Sequence, residues 1–258
     1  MITNNNFSVL PWYSSLQEQD RYKKYAYSHI FPLRIPASTF IPFQILLPVV
    51  KNSDISTYTL FIYDSENRRI SDNKINTFVR SGLFLYTTEL SDYAAIVFPA
   101  RGYLDTVLPY GQYYITISDG YSTWYSDVFT ITDVSDCIKL QWWDNSDFIM
   151  DEGLIAYAND FRNIAYVSSE IGKPKYQYEE EGDTRDGIFF AEKQLSEKVY
   201  NFVFMAPEYL CDATRFMRLA DNVIIEQYKQ TYKCDNIILE VDWQEQGNLA
   251  AVSVEFKV

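Results

Sequence analysis

The fold is set by the stretch Val199-Tyr-Asn-Phe-Val-Phe-Met-Ala-Pro-Glu-Tyr-Leu-Cys-Asp-Ala-Thr-Arg-Phe-Met-Arg-Leu-Ala220, in which a strand pattern passes directly into the clearest helix pattern of the chain. Aromatic and β-branched residues favour a strand over 199–204. Pro207 suits the first turn of a helix, and acidic residues ahead of Arg215 and Arg218 suit the helix dipole. The sequence therefore predicts one helix, at about 207–220, set between strands.

The helix has one apolar face. Leu210, Ala213, Met217 and Ala220 recur at helical spacing, so they share that face. A stripe of this kind more often packs on a sheet as core than binds a partner, and we expect it to be core.

The rest of the second half alternates apolar and polar residues with the period of a strand. The predicted strands are Ala165–Val167, Lys175–Tyr178, Gly187–Phe190, Val199–Phe204, Val223–Gln227, Ile237–Trp243 and Leu249–Val258. Together with the helix, they predict that residues 136–258 form a two-sheet sandwich or split barrel.

The first half contains short β patterns separated by turn residues. They are Tyr58–Tyr63, Leu83–Tyr86, Ala94–Phe98, Tyr113–Ile117 and Trp124–Ile131. Asp119-Gly120 supplies the positive φ of a tight turn between the last two runs. Residues 39–135 therefore resemble a fibronectin type III-like or immunoglobulin-like β-sandwich, which ends near the polar segment Thr132–Asp136.

Residues 1–38 show no clear period and are interrupted by Pro32 and Pro36, so we expect an extended N-terminal arm. Their start lacks the basic and apolar regions of a signal peptide, which predicts that the chain stays in the cytoplasm where it is made. Phe40 to Val50 is the best apolar run, and it is too short for a membrane helix.

Composition limits the classes of partner. The 258 residues carry a formal net charge of -13, which opposes binding to nucleic acid or to an anionic membrane. The aromatic fraction of 17% favours β structure throughout. Cys137, Cys211 and Cys234 form no metal-binding or disulfide pattern and are expected to be buried free thiols, so no cofactor is predicted.

Catalytic patterns are nearly missing from the sequence. His29 has no Ser, Cys or carboxylate at motif spacing, and the nucleotide, zinc-protease and hydrolase motifs are absent. The sequence therefore predicts a protein that is not an enzyme. A glycoside hydrolase with two facing carboxylates stays open, because the sequence spacing of such a pair is unconstrained.

Two further features have alternative interpretations. The acidic stretch 179–187 is expected to be a solvated loop between strands, with an ion-binding loop as the alternative. Exposed aromatic residues could contact a partner protein or stack on a glycan. The candidate interaction residues are Tyr121, Trp124, Trp142 and Trp143, and the adjacent Trp142 and Trp143 must point to opposite faces of a strand.

The second half resembles tail-region structural proteins encoded by phages and prophages of gut Bacteroidales. The residues that carry the resemblance are Gly172-Lys-Pro-Lys-Tyr176, Glu180-Glu-Gly-Asp-Thr-Arg-Asp-Gly-Ile-Phe-Phe-Ala-Glu-Lys-Gln194, Ser196-Glu-Lys-Val-Tyr-Asn-Phe202 and Ala206-Pro-Glu-Tyr-Leu-Cys-Asp-Ala213. The resemblance covers roughly residues 105–258, and its motifs are structural. It implies a tail-tube-like second domain and the role of a distal-tail or baseplate subunit.

That role implies assembly with other phage tail proteins, as a homo-oligomeric ring, first in the host cytoplasm and then in the tail of the virion. Strand edges such as Val199–Phe204 or Ile237–Trp243 would pair with a neighbouring protomer. The alternatives are a carbohydrate-binding or adhesive module with an exposed aromatic platform, and the glycoside hydrolase already mentioned.

Overall fold

A computed structural model describes residues 8–14, 31–37, 39, 41–48, 58–70, 84–87, 93–98, 108–145, 149–150, 155–157, 160–243 and 249–258. These residues are mainly β, with one short helical region. The first nine strands are β1 (Trp12–Tyr13), β2 (Leu33–Ile35), β3 (Phe43–Pro48), β4 (Thr59–Asp64), β5 (Phe84–Thr87), β6 (Tyr93–Phe98), β7 (Gly111–Ser118), β8 (Thr123–Ser126) and β9 (Phe129–Ile131).

The remaining strands belong to the second half of the chain. They are β10 (Cys137–Trp143), β11 (Ile149–Met150), β12 (Ile155–Ala156), β13 (Asn163–Ser168), β14 (Lys175–Arg185), β15 (Ile188–Pro207), β16 (Asn222–Gln227), β17 (Gln230–Cys234), β18 (Asn236–Trp243) and β19 (Leu249–Lys257). Helix α1 spans Glu208–Thr214 and continues as a 3₁₀ helix over Arg215–Arg218.

Two sheets form the first half. The larger one has the order β1-β8-β7-β9-β2, with β4 on the other edge of β7, and the smaller one has the order β3-β6-β5. The rings of Trp12 and Phe43 join the sheets, with centroids 5.1 Å apart, and Phe43 stacks on Phe98 at 5.3 Å. Apolar residues of alternating positions therefore form a core between the two sheets.

The predicted hairpin at Asp119-Gly120 is confirmed. Gly120 has a φ of 91°, and Asp119 Oδ1 accepts hydrogen bonds from the backbone N–H groups of Tyr121 and Ser122 at 2.8 and 2.7 Å. The prediction of one continuous strand over 124–131 is wrong, because this segment is divided into β8 and β9. Both pair with the same edge of β7, and the chain leaves the ladder between them at 127–128.

The second half packs two four-stranded sheets against each other. Their orders are β13-β10-β16-β17 and β14-β15-β19-β18. Fully buried residues from both sheets, including Leu140, Trp142, Ile225, Val252 and Phe256, lie in one hydrophobic cluster. A sandwich is therefore the arrangement of this half, as expected from the strand-period alternation.

The predicted helix is confirmed with different bounds. Pro207 is the N-cap residue in an extended conformation, and regular α-helix ends at Thr214, where the tighter 3₁₀ turn begins. Leu210, Ala213 and Met217 are buried as the apolar face predicts, and α1 contacts β15 and β19.

The described parts of the predicted N-terminal arm correct that prediction. Ser8–Ser14 and Phe31–Ala37 contribute β1 and β2 to the larger first sheet, and β2 runs parallel to β9. Leu10 and Ile35 are buried there. These segments show no period because each strand is only two or three residues long, too short to display one.

The two halves also contact each other. Arg34 Nη1 donates a hydrogen bond to Ser168 Oγ at 2.7 Å, and Tyr209 Oη donates to the carbonyl oxygen of Phe31 at 3.1 Å. Burial raises the pKa of the Tyr209 hydroxyl. β2 therefore connects the first sheet to β13 and α1. The division at residue 135 stays a prediction, although the larger first sheet ends with β9 and the next sheet begins with β10.

Candidate functional site

A long two-stranded ribbon is the most unusual feature of the described residues. β14 and the N-terminal half of β15 form it over residues 175–199, and we call this segment the ribbon. Lys175 pairs with Val199 at its base and Arg185 with Ile188 at its tip. The tip turns through Asp186 and Gly187, with φ of 50° and 79°, a geometry that favours Gly, Asn or Asp.

The ribbon is exposed on both faces. Every described side chain from Tyr176 to Lys198 is exposed except that of Glu197, which is half-buried. Large apolar side chains are among them, with Tyr178 72% and Ile188 61% exposed. The others are Tyr176, Phe189 and Leu195. An isolated two-stranded hairpin is only marginally stable in water, and this one also exposes large apolar side chains among its charged residues.

The acidic stretch 179–187 is part of the ribbon, which corrects the predicted loop. Glu179 to Arg185 continue β14, and Gln194 Nε2 donates a hydrogen bond across the strands to Glu180 Oε1 at 3.0 Å. The backbone ladder outweighs the low β propensity of Glu and Asp. Within the described residues, no three His, Cys, Asp or Glu side chains cluster as a metal site would require.

The base of the ribbon is fixed to the body. Lys257 forms an ion pair with Glu197, and the hydrogen bond that its ammonium donates to that carboxylate raises the pKa of Lys257. Gly172 N–H donates to the carbonyl oxygen of Asn201 at 2.8 Å, and a Cβ at Gly172 would lie 2.8 Å from Asn201 Oδ1. A larger residue at position 172 would therefore make the exposed Asn201 side chain move aside, with its backbone oxygen 3.2 Å from the added Cβ.

The two predicted assembly edges differ in the structure. Val199–Phe204 lies in β15 and pairs with β19, while its other side meets the segment before β14 through Gly172 and Ser169. Ile237–Trp243 lies in β18, which among the described strands pairs with β19 alone. Of the two predicted assembly edges, β18 is therefore the one that ends its sheet among the described strands, as β13 and β17 do in the facing sheet.

The four candidate interaction residues occupy different environments. Trp142 is fully buried and Trp124 is buried, so neither presents a surface to a partner or a glycan. Trp143 is half-buried with the Arg162 guanidinium 4.0 Å from its ring centroid, and Tyr121 is 99% exposed at the β7–β8 turn. The structure does not bring Tyr121 and Trp143 together on one strand or one sheet.

The residue types most often used in catalysis were not predicted to form a site, and their environments are as follows. His29 lies outside the described residues. The three cysteines are unpaired thiols, two buried and one half-buried, and burial raises the pKa of Cys211 to about 12. Hydrogen bonding lowers the pKa of the Asp221 carboxyl, with a side-chain contribution from Asp144 and a backbone N–H of Asn145 that donates to Asp221 Oδ2 at 3.1 Å.

Comparison with known proteins does not assign the chain to a family, because no family model matches it and no curated protein is significantly similar to it. Neither helical segment among the described residues is long and apolar enough to cross a membrane. The sequence predicts two parts of the ribbon as strands, Lys175–Tyr178 and Gly187–Phe190. Its full length was not predicted, because the acidic residues between them do not alternate with apolar ones.

Proposed function

We propose that this protein is a non-enzymatic structural subunit that assembles through protein–protein contacts made by the ribbon. The observation that carries the proposal is the exposure of apolar residues on both faces of the ribbon, including Tyr178, Ile188 and Phe189. Aromatic residues of this kind are enriched in protein interfaces.

The size of the ribbon fits such a role. β14 has eleven residues, which at about 3.3 Å each make the ribbon roughly 36 Å long. Two strands, each about 5 Å wide, make it about 10 Å wide. Its two faces together therefore offer on the order of 700 Å², close to the roughly 800 Å² that each partner contributes to a stable interface. The edge of β18 would add backbone pairing with a neighbouring protomer.

The proposed context is a phage or prophage tail or baseplate, as the resemblance of residues 105–258 implies. The protein would contact other tail proteins and form a homo-oligomeric ring, first in the host cytoplasm and then in the virion. A cyclic ring repeats one contact around an axis, so a projecting ribbon on each protomer can reach the next one.

The arrangement of the first half supports an immunoglobulin-like or fibronectin type III-like module. When β2 to β7 and β9 are assigned as strands A to G in order, the sheets contain B-E-D and C-F-G, the pairing of that architecture. Tyr113 Oη also donates to the carbonyl oxygen of Pro109 at 2.9 Å, as in a tyrosine corner. Such modules serve as spacers and attachment domains as well as binding domains. The architecture of the first half therefore does not decide the function of the protein.

A carbohydrate-binding or adhesive module is the second candidate. Tyr121, which is almost fully exposed at a hairpin tip, is the observation that favours it, because an aromatic ring in that position can stack on a sugar. Binding to a glycan array that is lost in Tyr121→Ala would favour this candidate over assembly.

Light scattering across a concentration series, read beside negative-stain images, tests the assembly proposal. We expect the wild-type protein to form discrete oligomers and the double variant Ile188→Asp/Phe189→Asp to remain monomeric, because two charges would be buried unpaired in the interface. The control is Leu219→Asp, which changes an exposed apolar residue of the body. A wild-type protein that is monomeric at every concentration, or equal assembly of all three proteins, would contradict the proposal.

A further inference from the structure

A cleft of about 580 Å³ lies where the two halves of the chain meet, and we call it the junction cleft. One wall comes from the larger first sheet and includes Arg34 and Gln112. The other wall comes from β13, where it includes Tyr166 and Ser168, and from apolar residues of β15 and α1, including Met205 and Leu210. Its volume is within the roughly 300 to 1,000 Å³ of small-molecule sites, which are common at the junctions of structural units.

Strand register places polar side chains side by side on the first wall. Arg34 pairs with Thr130 between β2 and β9, and Gln112 pairs with Thr130 between β7 and β9. Directly opposite residues on neighbouring strands lie on the same face of a sheet. A guanidinium, a hydroxyl and an amide therefore form one row along the wall.

The charge of the cleft is opposite to that of the protein. Among the described residues that line it, Arg34 carries the one formal charge, and none is Asp or Glu. The chain as a whole has 35 acidic residues against 22 basic ones. A ligand beside Arg34 is also within the field of Asp136, because Asp136 Oδ1 lies 3.8 Å from Cys137 Sγ and that sulfur lies 4.0 Å from Arg34 Nη1.

Arg34 retains hydrogen-bonding capacity. Its Nη1 donates to Ser168 Oγ at 2.7 Å and lies 4.0 Å from Cys137 Sγ, and no ion pair joins Arg34 to a carboxylate in the described part of the chain. A guanidinium has five N–H donors in a fork that fits a carboxylate. The structure therefore offers an arginine that is positioned by a neutral partner and has donors left for an anion.

The other lining groups indicate what the anion is attached to. Gln112, Thr132 and Ser168 offer an amide and hydroxyls that exchange hydrogen bonds with ligand hydroxyls. Tyr166 is half-buried in the opposite wall and offers an aromatic ring. Hydroxyl partners beside an aromatic ring suit a sugar ring, which is polar at its edge and apolar on its face.

We propose that the junction cleft binds a small sugar acid, whose carboxylate pairs with Arg34 and whose ring lies between Tyr166 and the polar row. This inference does not depend on assembly by the ribbon, because the ribbon contributes no residue to the cleft.

Ligand-observed NMR titration of the full chain with D-glucuronate tests the proposal, with N-acetylneuraminate as a second sugar acid. Glucuronate has about 13 non-hydrogen atoms, and a ligand of this size is expected to bind with Kd on the order of 1 mM. Glucose, which lacks the carboxylate, and benzoate, which lacks the hydroxyls, should each bind at least tenfold more weakly than glucuronate.

Two variants locate the site. Arg34→Gln should weaken glucuronate binding about tenfold or more, because it removes a charged hydrogen-bond donor. Arg69→Gln removes the same charge outside the cleft, where the guanidinium lies over Phe61, and should bind as the wild type does. Arg34→Lys keeps the charge and should bind with intermediate affinity, which separates lost recognition from lost folding.

The proposal would be overturned if both sugar acids failed to bind at ten times the expected Kd. It would also be overturned if Arg34→Gln and wild type bound glucuronate equally, or if glucose and glucuronate bound equally. Binding of benzoate in preference to glucuronate would also overturn it, since the cleft would then recognise a carboxylate on an apolar body.

Discussion

Trp142 and Trp143 are neighbours in β10 with opposite environments. The side chain of Trp142 lies in the core between the two sheets, whereas Trp143 lies at the surface under the Arg162 guanidinium. The period of a strand predicts this division but not which of the two is inside. That choice depends on the pairing of Leu140 and Trp142 with β13 and β16, which is a long-range property.

Alanine substitutions at these two positions should therefore differ in their effect on stability. Trp142→Ala should lower the free energy of unfolding by about 3 to 5 kcal/mol, because it leaves a cavity in the core. Trp143→Ala should cost about 1 kcal/mol, which reflects a cation–π contact and partial burial. Urea denaturation measures both, and equal losses would contradict the placement of the two side chains.

Ionisation of Cys211 should make the free energy of unfolding depend on pH in the alkaline range. Burial raises the pKa of its thiol to about 12, above its ordinary value of 9.0, and its Sγ lies 3.7 Å from the carbonyl oxygen of Ala206. The unfolded chain then releases the proton at a lower pH than the folded protein. The contribution of Cys211 to stability is therefore full below pH 9.0 and is lost as the pH rises towards about 12.

Urea denaturation at several pH values between 8 and 11 checks this expectation. The wild-type protein should lose stability across the range more steeply than Cys211→Ala, which lacks the ionising group. Parallel pH profiles for the two proteins would show that Cys211 ionises equally in the folded and unfolded states.

At the scale of elements, the two hairpin turns that contain glycine serve different parts of the molecule. Gly187 and Gly120 both have positive φ, and a Cβ on either would contact nothing within 4 Å. Alanine at either position therefore changes only the local backbone energy, by about 1 to 2 kcal/mol. The β7–β8 turn belongs to the body of the first half, whereas the other turn forms the tip of the ribbon.

Gly120→Ala should lower the melting temperature by a few degrees, because it strains a hairpin whose side chains are in the core. Gly187→Ala should leave the melting temperature within about 1 °C of wild type, since the ribbon is not part of the cooperative core, and should speed amide exchange in the ribbon alone. Differential scanning calorimetry with hydrogen exchange distinguishes these effects. Equal drops in melting temperature would show that the ribbon is folded with the body.

Several elements follow from the sequence with small errors at their ends. Val223–Gln227 and Ile237–Trp243 are strands within one residue of their predicted bounds, and the helix begins one residue late. Strict alternation and a proline cap give strong local signals in these places. β17 was not predicted, because Gln230–Cys234 is largely polar and is held as a strand by its ladder with β16.

The candidate surfaces were harder to predict than the strands. The ribbon contains the acidic stretch 179–187, for which the sequence favours a loop. The continuous pairing of 175–185 with 188–199 holds residues 179–185 of this stretch in a strand. The junction cleft needs the parallel pairing of β2 with β9 and the contact of β2 with β13. Contacts between residues about a hundred positions apart leave no local pattern in one sequence.

At the scale of the whole molecule, a continuous body and a projecting ribbon have opposite characters. Buried residues of both halves form one hydrophobic cluster that extends from Leu10 to Phe256. The ribbon lies outside that cluster and leaves large apolar side chains in water. Because the chain carries a net charge of -13, copies repel one another at low ionic strength, and assembly should be measured at physiological salt.

Hydrogen exchange of the ribbon amides, 175–199, measured below and above the concentration at which light scattering shows assembly, tests the central claim most directly. We expect fast exchange in the monomer, because a two-stranded ribbon with both faces in water opens easily. In the assembled protein, the same amides should become at least tenfold slower, while those of β10 stay unchanged. Ribbon amides that exchange at the same rate in both states would show that the ribbon is not the assembly surface.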